Sequence, residues 1–125
     1  PLVTVFDANK TVQRTQATFG EVRGPWAALS GITASGYEIH HGQTAQHTAM
    51  AAAGDVAHAA MPQGLAWQSA AGNVLGCYLH GLFEDPAVLQ ALFGAATPTL
   101  DSVFDGLADY IVTHFQPGVL DALVR

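Results

Sequence analysis

The segment Gly76-Cys77-Tyr78-Leu79-His80-Gly81-Leu82-Phe83 decides how this chain is read. It predicts a buried strand that ends on a histidine followed by a glycine. A strand tip sets His80 at a sheet edge, facing solvent or a cleft. Gly81 lets the chain turn there without a side-chain clash. A general acid/base is often mounted in this way. Just upstream, residues 65–70, the glycine-containing stretch 71–73 and residues 74–80 predict a β-hairpin whose last residue is His80.

Toward the N-terminus, the apolar run at residues 2–6 predicts a short buried strand. Asp7-Ala8-Asn9-Lys10 has turn chemistry. Residues 11–19, rich in Thr, Val and Gln, predict a more exposed strand. Gly24-Pro25 breaks it, and residues 26–31 read as a loop. Ser35-Gly36 opens another strand, in which alternation puts Tyr37 and Ile39 on one face and Glu38 and His40 on the other. Residues 43–63 read as a long, partly irregular connection: 49–53 and 56–60 have helical propensity, but Gly54-Asp55 interrupts them.

Toward the C-terminus the pattern turns helical. Asp85 is a good N-cap, Pro86 suits the first helical position, and Gly94 ends the helix after Val88, Leu89, Leu92 and Phe93. Thr97-Pro98 starts a second helix by the same logic. Its residues Leu100, Val103, Phe104, Leu107 and Ile111 recur at helical spacing. Pro117-Gly118 stops it, and residues 119–124 predict one last short helix. Strands first, then helices, suggests an α+β arrangement when the order is taken alone.

At 125 residues the chain holds one domain at most, or part of one. Half of the residues are hydrophobic, enough for a core, while only 11% are charged, which points to surface that something else covers. The formal net charge of −6, with four basic residues, disfavours nucleic acid. No apolar run is long enough to span a bilayer, and no leader pattern opens the sequence. A single cysteine excludes an internal disulfide and fits a reducing cytoplasm.

Cys77 and His80 are close in sequence, which invites a nucleophile–base pair. On a strand, however, they point to opposite faces, and three residues span roughly 10 Å. Cys77 therefore reads as a small buried core residue. His40, His41 and His47 raise the alternative of zinc, but adjacent strand residues diverge and no further ligand completes a set, so no metal site is expected. They read as polar residues at a strand end beside a cleft, with Gly42 and Thr44 shaping the following loop. The aromatic side chains read as core or covered surface. No glycine-rich phosphate loop is present, so any ATP site lies outside this sequence.

Three segments, in order, resemble the cobyric acid synthases. Pro1-Leu2-Val3-Thr4-Val5-Phe6 with Lys10-Thr11 looks like that family's L-P-x-x-T-x-F…K-T. Gly36 to Thr44 looks like its G-Y-E-I-H-x-G-x-T. Gly76 to Phe83 looks like its G-T-Y-L-H-G-L-F, and Asp105-Gly106-Leu107-Ala108-Asp109 also has the family's look.

The resemblance implies an α/β fold: the C-terminal part of a class I glutamine amidotransferase-like, flavodoxin-like domain, with strands and a hairpin followed by helices. Residues 1–125 would be that portion, with the nucleophile half and the synthetase domain lying before Pro1. The implied reaction is glutamine- and ATP-dependent amidation of corrin carboxylates in cobalamin biosynthesis. His80 falls on the family's catalytic histidine, and Glu38 and His40 become candidate orienting or cleft residues. Leu82 stands where many class I amidotransferases place a glutamate. No cofactor is implied for this chain; ATP and Mg2+ belong to the synthetase domain. Implied partners are glutamine, a corrin precursor and that N-terminal domain, without nucleic acid or membrane. Exposed strand edges make self-association of the fragment an expectation. Rival readings are a cobyrinic acid a,c-diamide synthase or related amidotransferase, and a non-catalytic interaction module of the same fold.

Overall fold

A long two-stranded ribbon organises the molecule. In the computed structural model, which describes residues 1–94 and 98–123, β1 (Leu2–Thr18) pairs antiparallel with β2 (Thr33–Gln46). Polar side chains face one another across the ribbon, as β propensity and cross-strand pairing favour: Thr18 with Thr33 at 2.8 Å, Gln16 with Ser35 at 3.2 Å and Thr4 with Thr44 at 2.7 Å. The ribbon enters the core only at its inner end, where the register partners Ala17 and Ala34 are buried.

Two expectations for β1 need correction. Residues 7–10 do not end the strand. Phe6 pairs with Gly42 and Thr11 with His40, so these four residues bulge opposite His41 alone. Nor is the first run buried, since Val5 and Phe6 are 68% and 82% exposed. Alternation fixes which face a residue takes, not whether anything covers that face.

After β2 comes a short helix, α1 (Thr48–Ala52), and then β3 (Ala57–Met61), β4 (Ala66–Ser69) and β5 (Leu75–Cys77) form a second antiparallel sheet. The connection expected over residues 43–63 is therefore mostly regular: β2 runs on to Gln46, and the alanines near residue 58 are in a strand. Their helical propensity yields to pairing with β4. The loop expected after Gly24 is a 3-10 helix, Gly24–Leu29.

The hairpin of β4 and β5 is present, but it does not extend to His80. The chain leaves that sheet at Tyr78, whose amide donates to the Leu65 carbonyl at 2.8 Å. It then enters the first sheet as β6 (Leu79–His80), paired with β2. The core fills the space between the sheets: Phe19, Leu29, Ala34, Ala60, Met61, Leu65, Ala66, Leu79, Leu82 and Val88 form one buried cluster.

Helix α2 (Pro86–Phe93) has the predicted signals. The Asp85 carboxylate accepts from the Ala87 and Val88 amides, and Gly94 closes the helix in the left-handed region at φ 67°. Helix α3 (Leu100–His114) is capped by Thr99; Thr97, where the sequence placed its start, lies outside the described residues. Its apolar face does not enter the core, because every residue of α3 except Ile111 is exposed. Helix α4 (Val119–Leu123) follows; Val124, to which the last helix was expected to run, is likewise outside the described residues.

Candidate functional site

His80 sits at the tip of β6, exposed, with Gly81 directly behind it at φ 81°. That left-handed turn is what Gly81 permits, and it takes the chain off the sheet toward α2. The strand is held in place by close approach to β2. A Cβ on Gly36 would lie 2.4 Å from the His80 carbonyl oxygen and 2.8 Å from Leu79 Cγ, so only glycine fits there. The imidazole Nε2 lies 3.3 Å from the Ile39 carbonyl oxygen. A carbonyl only accepts, so this contact puts the proton on Nε2 and leaves Nδ1 as the ring's free acceptor.

The register carries a row of side chains across the sheet. Arg14 on β1 pairs with Tyr37 on β2, and Tyr37 pairs with His80 on β6. Register partners share a face. All three line an open cleft of about 540 Å³, together with Ser35, Gly81, Glu84 and Asp85. Asp85 is fully engaged: one carboxylate oxygen caps α2, and the other accepts from the Ser35 amide at 2.9 Å. The Glu84 carboxylate makes no hydrogen bond or ion pair to the described residues; its amide donates to the Gly81 carbonyl at 2.9 Å.

Glu38 and His40 lie on the other face, as alternation predicts, and the structure does not bring Glu38 to His80. Glu38 pairs across the sheet with Leu79, which is buried. Its carboxylate accepts from Gln13 at 2.8 Å and Thr15 at 3.1 Å, and meets His40 Nε2 at 2.7 Å. Burial penalises the Glu38 charge, but the hydrogen bonds from Gln13, His40 and Thr15, with the charge of His40, outweigh it and hold the carboxyl below its usual range. The His40 ring packs against Tyr78 with centroids 4.7 Å apart, and its Nδ1 is buried without a partner among the described residues. The orienting contact to His80 comes from the Ile39 backbone, and neither Glu38 nor His40 lines the cleft.

Cys77 is exposed, not buried in the core as its residue type suggested. The end of β5 leaves it on the rim where the chain changes sheets. Desolvation by its packed neighbours still pushes the thiol's pKa up, against the smaller effect of the Leu79 amide that donates to its sulfur. A thiol shifted in that direction is a poor nucleophile. Of the other histidines, His47 caps α1 through Nδ1, and His41 lies exposed in the bulge region of the ribbon. Gly42 and Thr44 belong to β2 itself, not to a loop after it. Among the described residues no three His, Cys, Asp or Glu side chains group closely enough to hold a metal ion. Arg14 is the cleft residue that the sequence did not mark. It stands next to no motif, and only the register of two strand pairs connects it to His80.

Residues 1–88 match the CobB/CobQ-like glutamine amidotransferase domain family. Over 124 residues the chain is 73% identical to a cobyric acid synthase of Polaromonas sp. (strain JS666), covering 99% of this chain and 24% of that protein. It is 74% identical to the cobyric acid synthase of Polaromonas naphthalenivorans (strain CJ2), covering 99% and 26%. The corresponding protein of Variovorax paradoxus (strain S110) is 64% identical, with 99% and 25% covered. The chain thus spans about a quarter of the length of these curated relatives. No solved structure matches it.

Proposed function

This chain belongs to the CobB/CobQ-like glutamine amidotransferase domain family, and from that premise we propose that it is the histidine-bearing portion of a cobyric acid synthase. The observation that carries the reading is the placement of His80: a strand tip, a left-handed glycine behind it, and an open cleft in front. In the proposed reaction a cysteine thiolate, supplied by polypeptide outside this sequence, attacks the side-chain amide of glutamine. His80 delivers a proton to the departing ammonia and then takes one from the water that frees glutamate. With Nε2 bonded to the Ile39 carbonyl, Nδ1 is the nitrogen that exchanges these protons.

The ammonia is consumed in ATP-dependent amidation of corrin carboxylates by a synthetase domain, also outside this sequence. ATP and Mg2+ do not fit the residues present here. The sequence has no phosphate-cradling glycine loop, and Asp85 in the cleft is already committed to α2 and Ser35. A cytoplasmic location belongs to the same proposal; the observation that accompanies it is that no described helix is long and apolar enough to cross a membrane.

The test is His80→Ala in the intact synthase, assayed with each nitrogen source. Glutamine-driven amidation should fall by about 10²- to 10⁴-fold, the usual contribution of a positioned acid/base. Amidation from added ammonium should persist. Near-normal use of glutamine would remove His80 from the mechanism.

A further inference from the structure

We infer that Tyr78 is a positioning residue for His80: clamped by His40 and Thr44 on the face opposite the cleft, it sets where the two-residue strand β6 holds the imidazole. The inference rests on His80 serving glutamine hydrolysis and adds what fixes its reach.

β6 is too short to place His80 by pairing alone. It meets β2 at two register positions, Tyr37 with His80 and Glu38 with Leu79. On its C-terminal side Gly81 makes a left-handed turn and has no side chain to anchor. Gly36 lets β6 come close to β2 but does not hold it there. The contact of the imidazole with the Ile39 carbonyl, at 3.3 Å, is long for an N–H···O bond, so a small shift of the strand breaks it. The anchor must therefore lie on the N-terminal side, where Tyr78 precedes the strand. Alternation would set Tyr78 on the face of His80. The change of sheet turns it to the other face instead, against His40 and Thr44.

Two lines of contact converge on the Tyr78 side chain. In the first, Gln13 and Thr15 of β1 donate to the Glu38 carboxylate, which meets His40 Nε2 at 2.7 Å, and the His40 ring packs on the Tyr78 ring with centroids 4.7 Å apart. His40 Nδ1 has no partner among the described residues, so Glu38 is the polar group that orients this ring. In the second, the Tyr78 hydroxyl bonds to Thr44 Oγ1, and Thr44 Oγ1 to Thr4 Oγ1 at 2.7 Å. One line meets the ring and the other its hydroxyl, so the side chain is fixed in both tilt and reach. The Tyr78 amide, donating to the Leu65 carbonyl at 2.8 Å, ties the backbone to the chain that enters β4. Tyr78 is thus the pivot between the sheets. A pivot two residues from the imidazole passes its own displacement on through Leu79, which is buried and cannot take up the slack.

The experiment uses the intact synthase carrying Tyr78→Phe or Thr44→Val, which remove one hydrogen bond from its two ends and keep the ring contact to His40. Each should lower kcat for glutamine-driven amidation by about threefold to tenfold, less than the roughly 10²-fold that a 1 Å misplacement can cost, with KM near the wild-type value. Amidation from added ammonium should stay unchanged. The double variant should be no worse than Thr44→Val alone, because both changes remove the same bond. His40→Gln, which keeps a donor for Glu38 but loses the ring contact, should act in the same direction. The nuclear magnetic resonance signals of the His80 ring should shift in every variant. A lowered melting temperature with kcat and the His80 signals unchanged would make the assembly merely structural and overturn the inference. Equal losses with glutamine and ammonium would overturn it too. If His80→Ala uses glutamine normally, the functional reading fails and takes the inference with it. Normal dependence on His80 with an unchanged kcat in Tyr78→Phe removes the inference alone.

Discussion

Glu38 and His80 are brought close by adjacent strands and kept apart by the pleat. Alternation, legible in the sequence, already placed Glu38 with His40; what it did not supply was the register with β6, which pairs Glu38 with Leu79 and Tyr37 with His80. The side chains of Glu38 and His40 are 12% and 10% exposed, so their contact is largely screened from solvent by the sheet. Removing the charge on Glu38 should therefore appear as lost stability. Glu38→Gln keeps the shape but weakens three hydrogen bonds, and at neutral pH it should cost about 1–3 kcal/mol. The pH dependence has a definite sign. The folded-state carboxyl is held below its unfolded value, so its contribution is complete above the ordinary glutamate pKa of about 4.3 and is lost as pH falls through the depressed value. Thermal melts across the acid range should show wild type losing stability more steeply than Glu38→Gln. Parallel profiles would mean that Glu38 contributes nothing specific to folding.

At the scale of elements, the strand carrying His80 depends on a residue from another strand. Gly36 is the point where β2 and β6 approach too closely for a side chain. Gly36→Ala should push β6 outward and move His80 away from the Ile39 carbonyl; in the intact synthase, under the role proposed for His80, it should reduce glutamine hydrolysis by about tenfold or more, since small misplacements of a reacting group are costly. The nuclear magnetic resonance signal of the His80 ring should shift with it. Unchanged hydrolysis would show that β6 tolerates displacement. The signals that were legible at this scale are local ones: Asp85, Pro86 and Gly94 bound α2, and Gly72 lies in the turn between β4 and β5 at φ 76°. The misread elements depended on distant partners. Residues 7–10 look like a turn, yet pairing on both sides of them keeps the ribbon continuous through a bulge. The run ending at His80 looks like one strand, but Tyr78 passes it from one sheet to the other, and no local pattern announces such an exchange.

For the molecule as a whole, burial was the least legible property, because a sequence records apolar faces without recording what covers them. Leu100, Val103, Phe104 and Leu107 form the predicted stripe on α3, and each is about half exposed, while Val5 and Phe6 lie open near the outer end of the ribbon. The low charge content had already suggested a covered surface, and these faces are where a covering partner would have most to bury. The one cysteine is exposed on the rim, its thiol shifted toward the protonated form, and the described residues pair it with no base. The isolated 125-residue chain should therefore release no ammonia from glutamine above the buffer rate. A histidine acts on glutamine only beside an activated nucleophile, and among the described residues Cys77 is not one. The measurement is ammonia release by the purified chain beside the same chain carrying His80→Ala. A rate that rises above buffer and disappears with His80 would mean that this sequence contains its own nucleophile, and would move the thiolate from outside the chain to within it.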